Sequence, residues 1–412
     1  MINFYYKLLY FLPLALISGP FFSDLIVITC SLFFLIDTFR LKLFNYYNNT
    51  FFKVFIIFFF FLNISSLFSE DIIAFKYTIG YLRYGIFSIL IFYVLKNYSN
   101  FKKNFIFIFF FTFIFLIIDG YIQYFFGKNI LFFDIEKYQT GLKYVTSVFG
   151  EEKKLGSYLS RLAPIFFIAI LLLKKEFNIN KDLINLFLIP VLYILILLTT
   201  ERISIFLISS LLILMLFNSN ELIKKKIIFL ITFILSVILV LLLNPSLLEK
   251  LKSVFYSIGV VSPGYTSDGK IIGGYDQGLF FFSKFYHDQI LNSLSLFKEN
   301  IFFGIGAKNY KLQGFDGWHP HNFHAQLLGE IGLIGYLIFF SIFISFLSKV
   351  IKILFLEKNE KTNPDHELKN LLIFIVFLNL LPIPTSDFFN NWLNIILYLP
   401  FGFILFLNEK KI

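Results

Sequence analysis

Charged residues are scarce in this sequence of 412 residues. Asp, Glu, Lys and Arg make up 15% of the chain, against about 25% in an average soluble domain. Apolar types reach 58%, which is more apolar surface than a soluble fold can bury. A soluble globular enzyme, a disordered chain and a fibrous repeat are therefore excluded. The single cysteine, Cys30, excludes an intrachain disulfide and a cysteine-rich metal site.

Apolar runs recur along the whole chain, and most are long enough to cross a hydrocarbon layer of about 30 Å. We predict an all-α polytopic membrane protein with about twelve spans, so that both termini lie on the same side. The predicted spans are 5–23, 25–39, 52–69, 72–95, 104–119, 157–173, 183–200, 203–218, 226–243, 326–348, 369–386 and 391–408.

The basic residues indicate the orientation. A net charge of +10 would suggest nucleic acid as a partner of a soluble protein, but in a membrane protein it fits the positive-inside rule. With a cytoplasmic N-terminus, the cytoplasmic connections hold more than half of the 36 Lys and Arg. The short opposite-side connections hold one base, Arg202, and the acids Asp24, Glu70, Asp71, Glu201 and Asp387. We predict cytoplasmic termini and no nucleic-acid partner.

Two connections are long, and both fall on the outer side. They cover about 119–156 and about 244–325, within what we predict to be a single membrane domain over 1–412. Residues 279–297 in the second connection have the pattern of an amphipathic helix that lies on the outer leaflet. We therefore expect any chemistry at the outer surface.

The densest group of reactive side chains follows the second connection, in WHPHNFHAQLLGEIGLIGYL. The group contains three imidazoles, two amides and a carboxyl: His319, His321, His324, Asn322, Gln326 and Glu330. An imidazole titrates near neutrality and can remove a proton from a hydroxyl. Two alternatives to a catalytic base stay open. One is a zinc site, although the H-x-H-x-x-H spacing fits zinc poorly. The other is a structural role, because Trp and His also cap helices at membrane interfaces.

Four basic residues are candidates for binding an anion. Arg202 stands in a short turn on the side where bases are otherwise absent, and its guanidinium suits a phosphate; the alternative is an ion pair with Glu201.

Arg83 lies near the middle of a span, where charge is costly, and either holds an anionic headgroup or pairs with Asp119 or another buried acid. Lys143 and Arg161, with Lys153 and Lys154, suggest a basic rim on the first long connection.

These motifs resemble the O-antigen ligase and O-antigen polymerase family of bacterial membrane glycosyltransferases. The most specific likeness is a His-Asn pair, nine residues and then Gly-x-x-Gly, here His321-Asn322 followed by Gly332 and Gly335. The segments VFGEEKKLGSYLSRLAP, TTERISIF and FFGIGAKNY resemble further family segments, and the likeness covers roughly 140–340. One departure is Lys143, which stands nearest to where members often carry an arginine; lysine is a point charge and not a bidentate fork.

The resemblance implies a C-type glycosyltransferase fold, with residues 199–340 as the signature region. It implies a donor glycan on undecaprenyl diphosphate at the periplasmic face of the inner membrane, and no nucleotide sugar, metal or other cofactor. A ligase transfers the glycan to the lipid A core, and a polymerase transfers it to a second lipid-linked repeat.

The site residues carried over by this resemblance have separate roles. His321, and after it His319, would be the base, and Glu330, Asn322 and Gln326 would orient the imidazole or sugar. The cations that would bind the diphosphate are Arg202, Arg161, Lys143 and Arg83. Two other hypotheses about the function stay open. The protein would be a polysaccharide transporter or flippase in one, and a non-catalytic membrane scaffold in the other.

Overall fold

The structure is a computed structural model, and the residues it describes are 2–67, 72–138, 142–177, 181–219, 223–245, 247–248, 264–265, 271–272, 284–313, 319–356 and 364–409. The predicted outer-side acids Glu70 and Asp71, Trp318 of the histidine motif and most of the second long connection lie outside these residues.

The described residues form an all-α structure, as predicted. The helices are α1 (Ile2–Leu9), α2 (Leu12–Ile17), α3 (Pro20–Leu41), α4 (Thr50–Leu67), α5 (Ile72–Gly80), α6 (Leu82–Asn97), α7 (Phe101–Phe126), α8 (Leu155–Phe177), α9 (Lys181–Leu198), α10 (Arg202–Asn218), α11 (Ile223–Leu243), α12 (Lys284–Glu299), α13 (Phe323–Phe355), α14 (Pro364–Asn379) and α15 (Asn391–Glu409). Two short antiparallel pairs accompany them, β1 (Glu136–Lys137) with β2 (Lys143–Tyr144) and β3 (Gly264–Tyr265) with β4 (Ile271–Ile272).

Eight described helical segments are long and apolar enough to span a membrane. They are Pro20–Leu41, Thr50–Leu67, Ala74–Asn97, Phe101–Phe126, Leu155–Leu173, Ile223–Leu243, Phe323–Phe355 and Asn391–Glu409. Phe187–Leu198 and Arg202–Asn218 are shorter apolar helices at two other predicted spans. The chain is thus a polytopic helical membrane protein, and the count of twelve stays a prediction.

Three predicted boundaries differ from the structure. The span predicted at 5–23 is divided into α1, α2 and the start of α3, because Pro13 opens α2 and Gly19, with φ of 117°, precedes the proline that begins α3. The span predicted to end at 386 ends at Asn379, shortly before Pro382 and Pro384. The first long connection begins only after Phe126, because α7 continues two turns beyond Asp119.

The chain divides into two compact units. The first contains Met1–Phe105, Asp288–Ile353 and Leu372–Ile412, and the second contains Ile106–His287 and Leu354–Leu371. In the first unit, α6 is buried along nearly its whole length and packs against α15 and α3. A helix that is apolar on all sides belongs in such an interior.

In the second unit, α8 packs against α9 and α10. The end of α7 fixes the first long connection to this unit. The Asp119 carboxylate accepts hydrogen bonds from the Ile130 amide at 2.8 Å and from the Ser147 hydroxyl. Gln123 Oε1 accepts from the Thr146 amide at 2.9 Å and from the Ser147 amide at 2.7 Å. Buried polar groups of α7 thus satisfy the backbone of a connection that has little regular structure of its own.

The helix α13 is broken at Gly332, which has φ of 67° and ψ of −172°. The segment 301–306 runs along the opened backbone. The Leu333 amide donates to the Ile301 carbonyl at 2.7 Å, and the Gly306 amide donates to the Glu330 carbonyl at 2.8 Å. A Cβ on Gly332 would lie 2.5 Å from the Phe302 carbonyl. The first glycine of the Gly-x-x-Gly motif therefore allows two backbone segments to pair.

We predict that Gly332→Ala destabilises the protein more than Gly335→Ala. Alanine at 332 combines a backbone conformation that costs about 1–3 kcal/mol with a clash against main-chain atoms. A Cβ at Gly335 would meet only side-chain atoms of Ile331 and Phe61, which can move. The measurement is thermal unfolding of both purified variants in the same detergent, and equal unfolding temperatures would contradict the prediction.

Candidate active site

The histidine motif forms a strained turn at the head of α13 in the first unit. His321 has φ of 51°, a left-handed conformation that is uncommon for a residue other than glycine. Its carbonyl accepts a hydrogen bond from the Thr385 amide at 2.7 Å. Asn322 follows as the N-cap of α13, and its Oδ1 accepts from the Ala325 amide at 3.1 Å. The turn thus sets the direction of the imidazole that precedes the helix.

The imidazoles of His319 and His321 lie face to face, with ring centroids 3.9 Å apart and planes inclined by 37°. Burial, followed by the neighbouring His321 ring, lowers the pKa of His319. Burial likewise lowers the pKa of His321, and the Thr385 backbone and the Asp387 charge act in the opposite direction. Both rings are therefore neutral at pH 7, which is the form that accepts a proton.

Gln326 and Glu330 lie on the same side of α13, as their spacing predicts, but their side chains are joined to each other and to Asp387. Gln326 Nε2 donates to Glu330 Oε2 at 3.0 Å and to Asp387 Oδ1 at 2.7 Å. Gln326 Oε1 accepts from the Phe388 amide at 2.8 Å. Glu330 Oε1 accepts from the Tyr310 amide at 3.1 Å. One buried amide thus connects the head of α13 to the turn before α15.

His324, the third imidazole of the motif, is held within the packing of the same unit. Its Nδ1 lies 3.0 Å from the Tyr336 hydroxyl and its Nε2 lies 2.7 Å from the Leu380 carbonyl. Its ring also packs edge-on against Phe339 and Phe343. These contacts give His324 a structural role and leave His319 and His321 as the candidate pair.

Arg83 pairs with Asp24 and not with Asp119. Its Nε lies 3.0 Å from Asp24 Oδ1, and another guanidinium nitrogen donates to the Tyr84 hydroxyl at 2.8 Å. Asn391 Nδ2 also donates to Asp24 Oδ2, at 3.0 Å. The sequence left this choice open, and the geometry favours an ion pair, here with the partly buried acid Asp24.

The Arg202 turn lies in the second unit, between α9 and α10. Thr200 has φ of 58°, and Arg202 is the first residue of α10. The Glu201 carboxylate accepts from the Gly156 and Ser157 amides, each at 2.8 Å, and from the Ser204 hydroxyl at 2.8 Å. Burial raises the pKa of Glu201 to about 7, and the hydrogen bonds of Ser204 and Gly156 act against this shift. Glu201 thus joins α10 to the start of α8.

Two further cations, Arg161 and Lys153, lie near this turn. Arg161 is buried in α8 and donates to the Ser157 hydroxyl. The ammonium of Lys153 lies 3.9 Å from the centroid of the Tyr138 ring, whose hydroxyl is 2.8 Å from Thr200 Oγ1. Lys143 stands apart in a cavity of about 390 Å³ that is also lined by Tyr124, Phe125, Leu142, Leu198, Asn244 and Leu247.

Residues 185–340 match the family model described as O-antigen ligase. The matched segment includes both the Arg202 turn and the complete His321 motif. This match supports membership of the O-antigen ligase and polymerase family. No curated protein and no solved structure matches the chain. Together with the apolar helices, the family indicates a bacterial inner-membrane enzyme of the glycosyltransferase-like ligase or polymerase type.

Two residues that influence the candidate site were not among the predicted site residues. Asp387, near the His319–His321 pair, contributes a charge that raises the pKa of both imidazoles. Tyr286, at the start of α12, lies near enough to Arg202 for the guanidinium charge to oppose the rise in pKa that burial causes. One indication for Asp387 was present in the sequence, because it is an acid in a short outer connection. There was no such indication for Tyr286.

The zinc alternative concerns the same imidazoles. Among the residues that the structure describes, no group of three or more His, Cys, Asp and Glu side chains is arranged to hold a metal ion. His324 uses both ring nitrogens in protein contacts, so it does not complete a three-histidine set with the other two.

Proposed function

We propose that this protein transfers a glycan from undecaprenyl diphosphate to an acceptor hydroxyl at the periplasmic face, in the manner of an O-antigen ligase. The observation that carries the proposal is the contact between the partly buried rings of His319 and His321, whose lowered pKa values leave neutral imidazoles within the matched segment. A neutral imidazole accepts the proton that an attacking hydroxyl must lose.

The proposed reaction is a single inverting displacement. The acceptor oxygen forms a bond to the anomeric carbon of the donor glycan, and the bond from that carbon to the diphosphate oxygen breaks. The hydroxyl proton goes to His321, and the bond electrons go to the leaving diphosphate. Because the leaving group is already good, no carboxylate nucleophile is needed. Glu330 and Gln326 act by positioning, since their polar atoms bind one another, Asp387 and the backbone.

On the donor side, Arg202 is the main candidate for binding the diphosphate. It begins α10, where the helix dipole also favours negative charge. The carboxylate of Glu201 is already held by two amides and a hydroxyl, which argues against the view that Arg202 serves to neutralise it. Arg161 and Lys143 are secondary candidates, whereas Arg83 has its own acid, Asp24.

The alternative function is an O-antigen polymerase, which joins the glycan to a second lipid-linked repeat. The two functions share the chemistry above and differ in the acceptor. We favour the ligase because the His-Asn-x9-Gly-x-x-Gly pattern is complete. Deletion of the gene should then remove all long glycan from the lipid A core while lipid-linked polymer accumulates. Retention of a single repeat on the core, seen by electrophoresis of lipopolysaccharide, would instead indicate a polymerase.

We expect the two candidate turns on the periplasmic side and the N-terminus on the cytoplasmic side, because the basic residues follow the positive-inside rule. Single cysteines at Lys128 and Gln313, both exposed, should react with an impermeant maleimide in intact spheroplasts. A cysteine at Lys42 should react only after permeabilisation. The background is Cys30→Ser, since Cys30 is buried. Labelling in the reverse pattern would overturn the orientation.

We predict different kinetic defects for Arg202 and His321. Arg202→Ala should lower transfer by about 10²- to 10³-fold by removing charge at the leaving group, and Arg202→Lys should retain part of the activity. His321→Asn, which tolerates the left-handed backbone, should slow transfer by about 10²- to 10⁴-fold with donor binding nearly unchanged. The measurements are transfer rate per folded molecule and binding of undecaprenyl diphosphate.

The pH profile separates a base from a phosphate ligand at His321. Because burial lowers the pKa of His321, the wild-type rate should be flat near neutrality and fall only below about pH 6.5, as the imidazole gains a proton. His321→Asn should lose this acid limb. The control is His324→Gln, which should reduce folded protein but not activity per folded molecule. Equal loss of donor binding in the Arg202 and His321 variants, with an unchanged pH profile, would refute the base assignment.

A further inference from the structure

The loop between α12 and α13 presents two lysines, and their backbone is firmly held. Lys308 has φ of 65°, a left-handed conformation that costs free energy unless the surroundings enforce it. The Gly306 amide donates to the Glu330 carbonyl at 2.8 Å, and Tyr310, on the other side, donates its amide to Glu330 Oε1. The strain at Lys308 is thus maintained by the buried carboxyl of α13.

The Lys308 ammonium rests on an aromatic ring. Its Nζ lies 3.9 Å from the centroid of Tyr77, and among the described residues no carboxylate oxygen lies within 4.0 Å of it. Burial lowers the pKa of Lys308, whereas the charges of Asp387 and Glu330 act in the opposite direction. A partly desolvated ammonium supported mainly by a ring is a good donor to an incoming anion.

Two more donors lie in the same neighbourhood. Lys311 Nζ is 3.9 Å from Asp387 Oδ2, the outer limit of an ion pair, and its side chain is about half exposed. His319 Nε2 is buried, and within the described part of the chain it has no hydrogen-bond partner. Asp387 and Lys311 influence the titration of both His319 and Lys308, so these groups share one polar region.

The acids of this region are already engaged. Asp387 Oδ1 accepts from Gln326 Nε2 and from the Phe389 amide. Glu330 uses its two oxygens for Gln326 and Tyr310. Asp387 is thus shared between these amides and Lys311, whereas among the described residues the Lys308 ammonium has no carboxylate within 4.0 Å and His319 Nε2 has no hydrogen-bond partner.

We propose that Lys308, Lys311 and His319 form a subsite for a phosphate group carried by the acceptor glycan. Donors that approach from several directions suit a tetrahedral phosphate, and lysine binds it as a point charge. We assign the phosphate to the acceptor because the ring of His321, the proposed base for the acceptor hydroxyl, lies 3.9 Å from the ring of His319. The assignment to the acceptor rests on the proposed function, whereas the phosphate subsite does not.

Competitive chemical labelling of the full chain in nanodiscs of neutral lipid tests the subsite without any assay of transfer. Limiting acetic anhydride modifies accessible lysines, and mass spectrometry of peptides measures each one. Millimolar inorganic phosphate and glucose 6-phosphate should protect Lys308 and Lys311. Glucose, or potassium chloride at equal ionic strength, should not. The control is Lys128, an exposed lysine near Asp134, which should be unaffected.

Two results would overturn the subsite. One is labelling of Lys308 that, like that of Lys128, does not change with phosphate concentration. The other is protection by phosphatidylglycerol in the nanodisc but not by the soluble phosphates, which would indicate a lipid-headgroup site instead.

Variants test the role of the subsite in the reaction. Lys308→Asn removes the charge but tolerates the left-handed backbone. It should raise KM for a phosphorylated acceptor roughly 10- to 100-fold, which is the change expected when one hydrogen bond to a charged group is lost. The kcat and the binding of the donor should change little. Lys308→Arg should restore KM, and Lys128→Asn should have no effect. An enzymatically dephosphorylated acceptor should show the same KM with Lys308→Asn as with the unmodified protein.

The outcomes separate the two proposals. Protection of Lys308 by phosphate in a protein that has no transfer activity would refute the proposed function and leave the phosphate subsite standing. Transfer activity with no phosphate protection, and with an unchanged KM in Lys308→Asn, would refute the subsite and leave the function standing.

Discussion

The backbone hydrogen bonds across the break at Gly332 are the constraint on which the histidine site depends. Because α13 opens there, its unpaired backbone groups bind segment 301–306. Glu330, two residues before the break, also accepts from the Tyr310 amide and so holds the loop that follows this segment. The same stretch of α13 carries Gln326, which joins this loop to Asp387. A continuous helix would have satisfied its own backbone and left the loop without a partner.

This arrangement explains why a buried carboxyl is kept in an apolar helix. Glu330 is almost fully buried, and an isolated charge or acid there would be costly. Its partners are an amide nitrogen of Gln326 and a backbone amide, so its desolvation is offset by fixed hydrogen bonds. The result is a fixed connection between α13 and the loop that holds Tyr310.

The second unit uses the same principle with different residues. There, the Glu201 carboxyl accepts the first amides of α8, and Gly156 permits the close approach because a Cβ would lie 2.6 Å from Thr199 Oγ1. Arg202 is thereby placed at the start of a helix whose preceding turn is fixed. In both units, an acid and a glycine hold a short connection against a helix: Glu330 and Gly332 in the first unit, and Glu201 and Gly156 in the second. The candidate residues His321 and Arg202 lie close in sequence to these acids.

The helical membrane class, the position of most spans and the candidate motifs could all be predicted from the sequence alone. These depend on local properties, namely runs of apolar residues, the absence of charge within them and short motifs such as His-Asn-x9-Gly-x-x-Gly. Helix ends at 5–23 and 369–386 were placed less well, because proline and a left-handed glycine interrupt runs whose hydropathy is continuous. The orientation, the count of twelve spans and the donor and acceptor roles remain predictions.

Only the tertiary structure decided which partner each polar side chain has. Arg83 was open between a ligand and several acids, and its ion pair joins residues 59 positions apart. Asp387 became part of the site through contacts with Gln326, 61 positions away. The choice between His319, His321 and His324 likewise rests on which rings find partners in distant elements. Such pairings depend on how helices far apart in sequence pack together, and no local pattern of residue types encodes that.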